Sequence, residues 1–238
     1  MAFKKRTYLR RRKRRGTTRG ALGQKNFAAR VKRVMLKQCE TKVAGETEEN
    51  IRLFHNGTNY KSGFLSTSQG TGDNQGFIVA NRVRVGDEII ARGLKFKFWV
   101  SNKADRPNVM YHIWIFQYNA LESPTNSMFW CGTDGQGGTM NRMLDHPNPE
   151  RIKVLKKLVI NSKDQYYQPA PDGKEHSQMK ECWIPMKNRK ITYRADNGTV
   201  PRGRDIGFAV ATYDAFGTLV TDIIATYAYS CSFYFKDP

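Results

Sequence analysis

From residue 85 to the end of the chain, apolar positions recur mainly with a period of two. Leu94, Phe96, Phe98 and Val100 alternate with Lys95, Lys97 and Trp99. That alternation predicts a strand with one apolar and one mixed face. Ala104-Asp105-Arg106-Pro107 reads as the turn that follows. Val109 to Tyr118 (VMYHIWIFQY) is apolar on both faces, which places it centrally in a sheet. Residues 152 to 160 (IKVLKKLVI) alternate less cleanly. A long final strand puts Ile223, Ala225, Tyr227, Tyr229, Cys231, Phe233 and Phe235 on one face, with Thr226, Ala228, Ser230 and Ser232 on the other. Asn56-Gly57, Asp172-Gly173 and Asn197-Gly198 mark tight turns.

Helical spacing occurs near the start, at Phe27, Val31, Val34 and Met35, with basic residues between. A short amphipathic helix fits that spacing. A first strand opening over 31 to 44 fits as well, and the strand is the expectation. There are no sustained heptads and no internal repeat. Many strands without alternating helices predict an all-β domain, a sandwich or jelly roll. Long connections at roughly 62 to 80, 119 to 150 and 161 to 178 are expected to carry function.

Charge changes this picture. The 238 residues carry a formal net charge of +19. Residues 1 to 33 hold fourteen cations: Lys4, Lys5, Arg6, Arg10, Arg11, Arg12, Lys13, Arg14, Arg15, Arg19, Lys25, Arg30, Lys32 and Arg33. They hold no Asp or Glu, so 34 to 238 is left with a net charge of only about +5. A block of one sign repels itself and is expected to stay disordered without a polyanion. The chain therefore divides into a basic, flexible nucleic-acid-binding arm, 1 to 33, and a β domain, 34 to 238. Arg and Lys neutralise phosphates and release condensed counterions whatever the base sequence, and Arg forks two hydrogen bonds onto one phosphate. Tyr8 and Phe27 are candidates for stacking on unpaired bases. The clusters Lys4-Lys5-Arg6 and Arg10-Arg11-Arg12-Lys13-Arg14-Arg15 also read as a nuclear localisation signal.

Motifs for other chemistry are absent from the sequence. Cys39, Cys131, Cys182 and Cys231 are widely spaced, with no Cys-x-x-Cys, so free thiols are expected and no zinc. His55, His112, His146 and His176 form no paired ligand spacing. His112 sits in the most apolar strand and is expected to be a hydrogen-bonded core residue. Gly132, Gly135, Gly137 and Gly138 are followed by no Gly-Lys-Ser/Thr. The 171 to 176 stretch (PDGKEH) lacks the second carboxylate and lysine of a nuclease site and reads as a turn. Neither Glu48-Glu49 nor Asp87-Glu88 makes an acid/base pair, since neighbours on a strand point oppositely. No catalytic residue, metal or cofactor is expected. No apolar run follows the initial Met, so no signal peptide is expected, and no run approaches the roughly 20 apolar residues of a membrane span. The aromatic strand residues, Trp99, Trp114, Phe233 and Phe235 among them, are expected to pack the core.

Three segments carry a resemblance. They are Val85-Gly86-Asp87-Glu88 running on through Ile89, Ile90, Gly93 and Leu94 to Phe98; Ser101 to Val109 (SNKADRPNV) with Tyr111; and Phe233 to Pro238 (FYFKDP). With the arm, and in this order, they resemble capsid proteins of circovirus-like, Rep-encoding circular single-stranded DNA viruses. The resemblance implies an eight-stranded jelly roll and sixty copies in a T=1 icosahedral shell. It also implies an inward arm that contacts the genome, and nuclear import through a host receptor. Virion and host nucleus are the expected locations. Sixty arms of fourteen cations would neutralise on the order of a thousand phosphates, a very small genome. The rival readings are a non-viral β-sandwich module that binds nucleic acid or carbohydrate and is anchored by a basic tail, and a nuclease.

Overall fold

A computed structural model describes residues 27, 30, 31, 34, 35, 38–69, 83–103, 105, 106, 108–132, 141–161, 176–193, 198–215 and 219–237. The chain divides into two compact units, Met1–Cys39 and Glu40–Pro238. In the first, Phe27, Arg30, Val31, Val34, Met35 and Gln38 are helical, and the Cys39 N–H donates to the Met35 carbonyl at 3.0 Å. Where a strand was expected to open at 31, Val31, Val34, Met35 and Gln38 are helical, and β1 begins at Thr41. The reason lies in pairing. Thr41 is the register partner of Lys236, the last residue of the neighbouring strand. Residues before Thr41 meet no ladder there, whereas a helix satisfies its backbone groups internally.

The second unit contains β1 (Thr41–Phe54), β2 (Thr58–Lys61), β3 (Ser68–Gln69), β4 (Val83–Arg84), β5 (Glu88–Asn102), β6 (Val109–Asn119), α1 (Asn126–Phe129), β7 (Lys153–Asn161), β8 (His176–Thr192), β9 (Arg204–Asp214) and β10 (Ile223–Lys236). Two antiparallel sheets of four strands, ordered β1-β10-β5-β8 and β2-β9-β6-β7, form a sandwich. The two-residue strands β3 and β4 pair with each other in parallel. The strand expected over Val109 to Tyr118 is β6, and it is interior to its sheet as its two apolar faces require. Asn56-Gly57 does form a turn, with the Gly57 N–H on the Phe54 carbonyl at 3.0 Å. It carries the chain from one sheet to the other, from β1 to β2. Asp172-Gly173 and Asn197 lie outside the described residues.

The period-two pattern decides what faces inward. From β5, Leu94, Phe96, Phe98 and Val100 are buried; from β10, Tyr227, Tyr229, Cys231, Phe233 and Phe235; from β6 and β9, Tyr111, Ile113, Ile115, Phe208 and Val210. Phe208 lies at the middle of the aromatic group, its ring centroid 4.8 Å from Tyr229, 5.0 Å from Phe98 and 5.3 Å from Phe64. Buried tyrosines bind the two sheets through their hydroxyls. Tyr111 on β6 donates to Asn102 Oδ1 on β5 at 3.0 Å, and Tyr227 on β10 donates to Asn59 Oδ1 on β2 at 3.0 Å. Each hydroxyl thus keeps a partner inside the apolar core, where an unmade bond would cost about 1–3 kcal/mol. Burial pushes the titration of Tyr111 and Tyr227 far above the phenol's ordinary range, so they act as neutral donors.

The outward faces of the two sheets differ. On β2-β9-β6-β7, Trp114 and Phe116 lie under Met128, Phe129 and Trp130 from the connection that follows β6, with Ile152 beside them. Part of the long 119–150 connection is thereby core, which explains its aromatic content. On β1-β10-β5-β8, no second cluster of buried apolar residues covers the outside among the described residues. Trp99 was expected in the core with Trp114, Phe233 and Phe235. Those three are buried, but Trp99 is 54% exposed. Alternation along β5 puts it on the face of Lys95 and Lys97.

Candidate nucleic-acid interface

Of the fourteen arm cations, Arg30 alone falls among the described residues. It is helical and exposed, in a segment whose Phe27, Val31, Val34 and Met35 are also exposed. Lys4, Lys5, Arg6, Arg10, Arg11, Arg12, Lys13, Arg14, Arg15, Arg19, Lys25, Lys32 and Arg33 lie outside them.

The three segments that carried the resemblance meet in the sandwich. β5 lies against β10, with Leu94 opposite Phe233 and Ala91 opposite Phe235. Asp237 accepts from Lys42 Nζ at 2.6 Å and from the Val85 N–H at 3.3 Å. In the middle segment, Asn102 receives the Tyr111 hydroxyl and donates to the Arg106 carbonyl at 3.0 Å. Arg106 reaches Asp214 and Asp222, each at 3.5 Å. These residues lock a turn and two strand ends. Nothing about them singles out a ligand.

The buried ionisable groups are likewise tied into the fold. Arg84 is fully buried, lies 4.2 Å over the Tyr193 ring, and donates to the carbonyls of Gly86 and Gly198 at 2.8 Å each. Cys182 and Cys231 are buried, Cys39 and Cys131 half-buried, and no disulfide joins them. His112 is 7% exposed and sits edge-on to Trp114 at 5.1 Å, but its Nδ1 has no hydrogen-bond partner. The expectation of a core histidine holds, with its Nδ1 left unbonded. Trp114 shares its face of β6, and Lys157 on the adjacent β7 lies over that indole at 5.1 Å.

Burial first, and Lys157 second, lower the His112 pKa from 6.5 to about 4. Because the folded value lies below the unfolded one, protonation favours the unfolded chain. The stability this histidine lends is present above pH 6.5 and is lost as the pH falls toward 4. Urea unfolding at about pH 7 and about pH 4.5 should show wild type losing more stability than His112→Leu. Equal losses would remove His112 from the pH response.

A site that the alternation of β5 only half announced lies on the uncovered face. Across from Trp99 stands Met179, across from Lys97 stands Glu181, and across from Lys95 stands Trp183. Met179 is 64% and Trp183 45% exposed. Glu181 accepts from both lysines, at 2.9 Å from Lys95 and 3.4 Å from Lys97. The hydrogen bond from Lys95 holds its carboxyl below the ordinary range. The signal for β8 was present, since Cys182, Ile184 and Met186 alternate inward.

The fold thus defines an antiparallel, two-sheet β-sandwich domain. No family model matches the chain, and no curated protein matches it. Among solved structures it is similar to one described as Desmodium yellow mottle tymovirus, at 9% identity over 84% of this chain and 89% of that one, with a TM-score of 0.31. It is also similar to the K1 cleaved adhesin domain of Lys-gingipain from Porphyromonas gingivalis W83, at 13% identity over 84% and 99%, with a TM-score of 0.24. Scores this low decide neither fold nor function.

Proposed function

We propose that this is the coat protein of a small virus with a circular single-stranded DNA genome. It is a non-enzymatic structural protein, an eight-stranded jelly roll that closes into a T=1 shell of sixty copies. Its arm, residues 1–33, draws the genome inside. The observation that carries this reading is the strand order. Taking β1, β2 and β5 to β10 as the eight, the first pairs with the last, the second with the seventh, the third with the sixth and the fourth with the fifth. That is one long antiparallel ribbon rolled upon itself, the arrangement of jelly rolls, which capsid and lectin domains share. The arm separates the capsid reading from the lectin one. Fourteen cations without one anion suit a polyphosphate partner whose sequence is irrelevant. The same clusters, Lys4-Lys5-Arg6 and Arg10 to Arg15, would present the chain to a nuclear import receptor, and assembly would take place in the host nucleus.

Sedimentation of the full chain, recorded at 260 and 280 nm, tests the reading. Sixty copies of 27.3 kDa give a closed shell of roughly 1.6 MDa. A sharp boundary at that mass with excess absorbance at 260 nm is expected. A monomer or dimer free of nucleic acid would overturn it in favour of a β-sandwich binding module.

A further inference from the structure

The outside of β1-β10-β5-β8 is built in rows. Along β5 the outward residues run Lys95, Lys97, Trp99, Ser101, and along β8 they run Met179, Glu181, Trp183, Pro185. Beside them β10 shows only Thr226, Ala228, Ser230 and Ser232 before Tyr234. The floor of the face is therefore low, and two aromatic stations stand above it. One is Trp99 with Met179. The other is Trp183, whose indole contacts the Tyr234 ring at 5.5 Å. The benzo edge of that indole occupies the space where a Cβ on residue 93 would lie, so Gly93 is what lets it rest on the sheet. The stations are separated by four residues along β5 and one strand across, roughly 14 Å.

Between the stations lie Lys95 and Lys97, which share the single carboxylate of Glu181. All three groups are exposed, so the row keeps one net positive charge and unspent ammonium donors. A cleft of about 720 Å³ opens beside Trp99, with Asn50, Ser101 and Lys103 in its walls and Glu49 and Asp105 also lining it. Those carboxylates repel a phosphate, while the amide and hydroxyl can bond a base edge.

We propose that this face is a second nucleic-acid contact, on which unpaired bases stack against Trp99 and Trp183 while the intervening phosphates meet Lys95 and Lys97. The inference rests on the reading that the chain packages single-stranded DNA. The occupant is fixed by the alternation of aromatic and basic groups, the pattern of sequence-tolerant single-strand binders. A second copy of the chain is a poorer fit. Stable interfaces between copies have a contiguous apolar centre, and here the centre is the Lys95–Glu181–Lys97 row.

The test compares an oligothymidylate of about twenty nucleotides with an abasic oligomer of equal length and charge. The full chain is used in about 0.5 M NaCl, where the counterion-release contribution of the arm is weak. The thymidylate should bind more tightly and quench tryptophan fluorescence. Trp99→Ala and Trp183→Ala should each reduce that preference roughly 5- to 150-fold and leave abasic binding and the salt slope unchanged. Trp99 is 54% and Trp183 45% exposed, and circular dichroism checks that each variant keeps the fold. Trp99→Phe should retain part of the preference, as a smaller stacking surface. Equal affinity for both oligomers in wild type overturns the platform while the arm reading stands. Binding of neither at this salt also overturns the platform, and only binding of neither at about 50 mM salt overturns the arm reading with it. Self-association that the double variant abolishes, with base preference intact, assigns the face to a second copy and overturns the proposal.

Discussion

Removal of residues 2 to 33 will reduce the affinity of the chain for single-stranded DNA by roughly 10³-fold or more at about 50 mM salt. The deleted segment carries fourteen of the chain's forty cations and none of its anions. Neutralising six to ten phosphates costs roughly 10³- to 10⁵-fold in affinity between about 50 and 200 mM salt for duplex DNA, and somewhat less for single strands. The full chain should therefore lose affinity steeply over that range. The remaining body, with a net charge of about +5, should change by no more than about tenfold. Binding isotherms at several salt concentrations measure both slopes. Circular dichroism should show the β domain unchanged, because the sandwich begins at Thr41. If the truncated body kept the affinity and slope of the full chain, the arm would not be the binding element.

The second large effect is on stability. Phe208→Ala should destabilise the β domain by about 3–5 kcal/mol. The side chain is fully buried on β9, where it faces β5 and β10 across the sandwich. Its ring meets Phe64, Phe96, Phe98, Tyr227 and Tyr229. Truncation removes the transfer free energy of the ring and leaves a cavity walled by stiff aromatics that close in poorly. Since domains of this kind hold about 5–15 kcal/mol in all, the variant should unfold at a much lower urea concentration. Phe54→Ala is the control, because Phe54 is 43% exposed and contributes little to the core. A loss at Phe208 no larger than at Phe54 would refute the central place given to this ring.

What the sequence announced and what it hid follow one rule. Strands with one buried face announce themselves, because burial selects apolar side chains at every second position. β10 was read nearly to its ends on that basis, β5 over its second half, from Leu94 to Val100, and β6 was placed inside a sheet by its two apolar faces. The segment in which Phe27, Val31, Val34 and Met35 are helical was open to two readings, because a period near four over a few residues fits both, and pairing across nearly two hundred residues decided between them. Trp99 was misassigned for a different reason. Alternation put it on the mixed face, but its size argued for the core, and nothing local reveals whether a mixed face is covered. Coverage is a tertiary fact. The connection after β6 supplies Met128, Phe129 and Trp130 to one sheet, while the other receives no such cover among the described residues. Trp183 was missed with it, since its meaning depends on a register partner, Lys95, nearly ninety residues earlier. The arm was the plainest feature of the sequence, for charge needs no fold to be read.

β10 lies between β1 and β5, pairing along almost its whole length with both. A ribosome translating this chain has therefore delivered both outer neighbours long before the strand that joins them. Until Ile223–Lys236 emerges, β1 and β5 each expose a row of unpaired amides and carbonyls, and nascent chains crowded on one messenger could pair with one another instead. The body should close late and all at once, a slow step dominated by distant contacts. The cationic segment, already clear of the exit tunnel, would meanwhile be free to engage whatever polyanion is nearest.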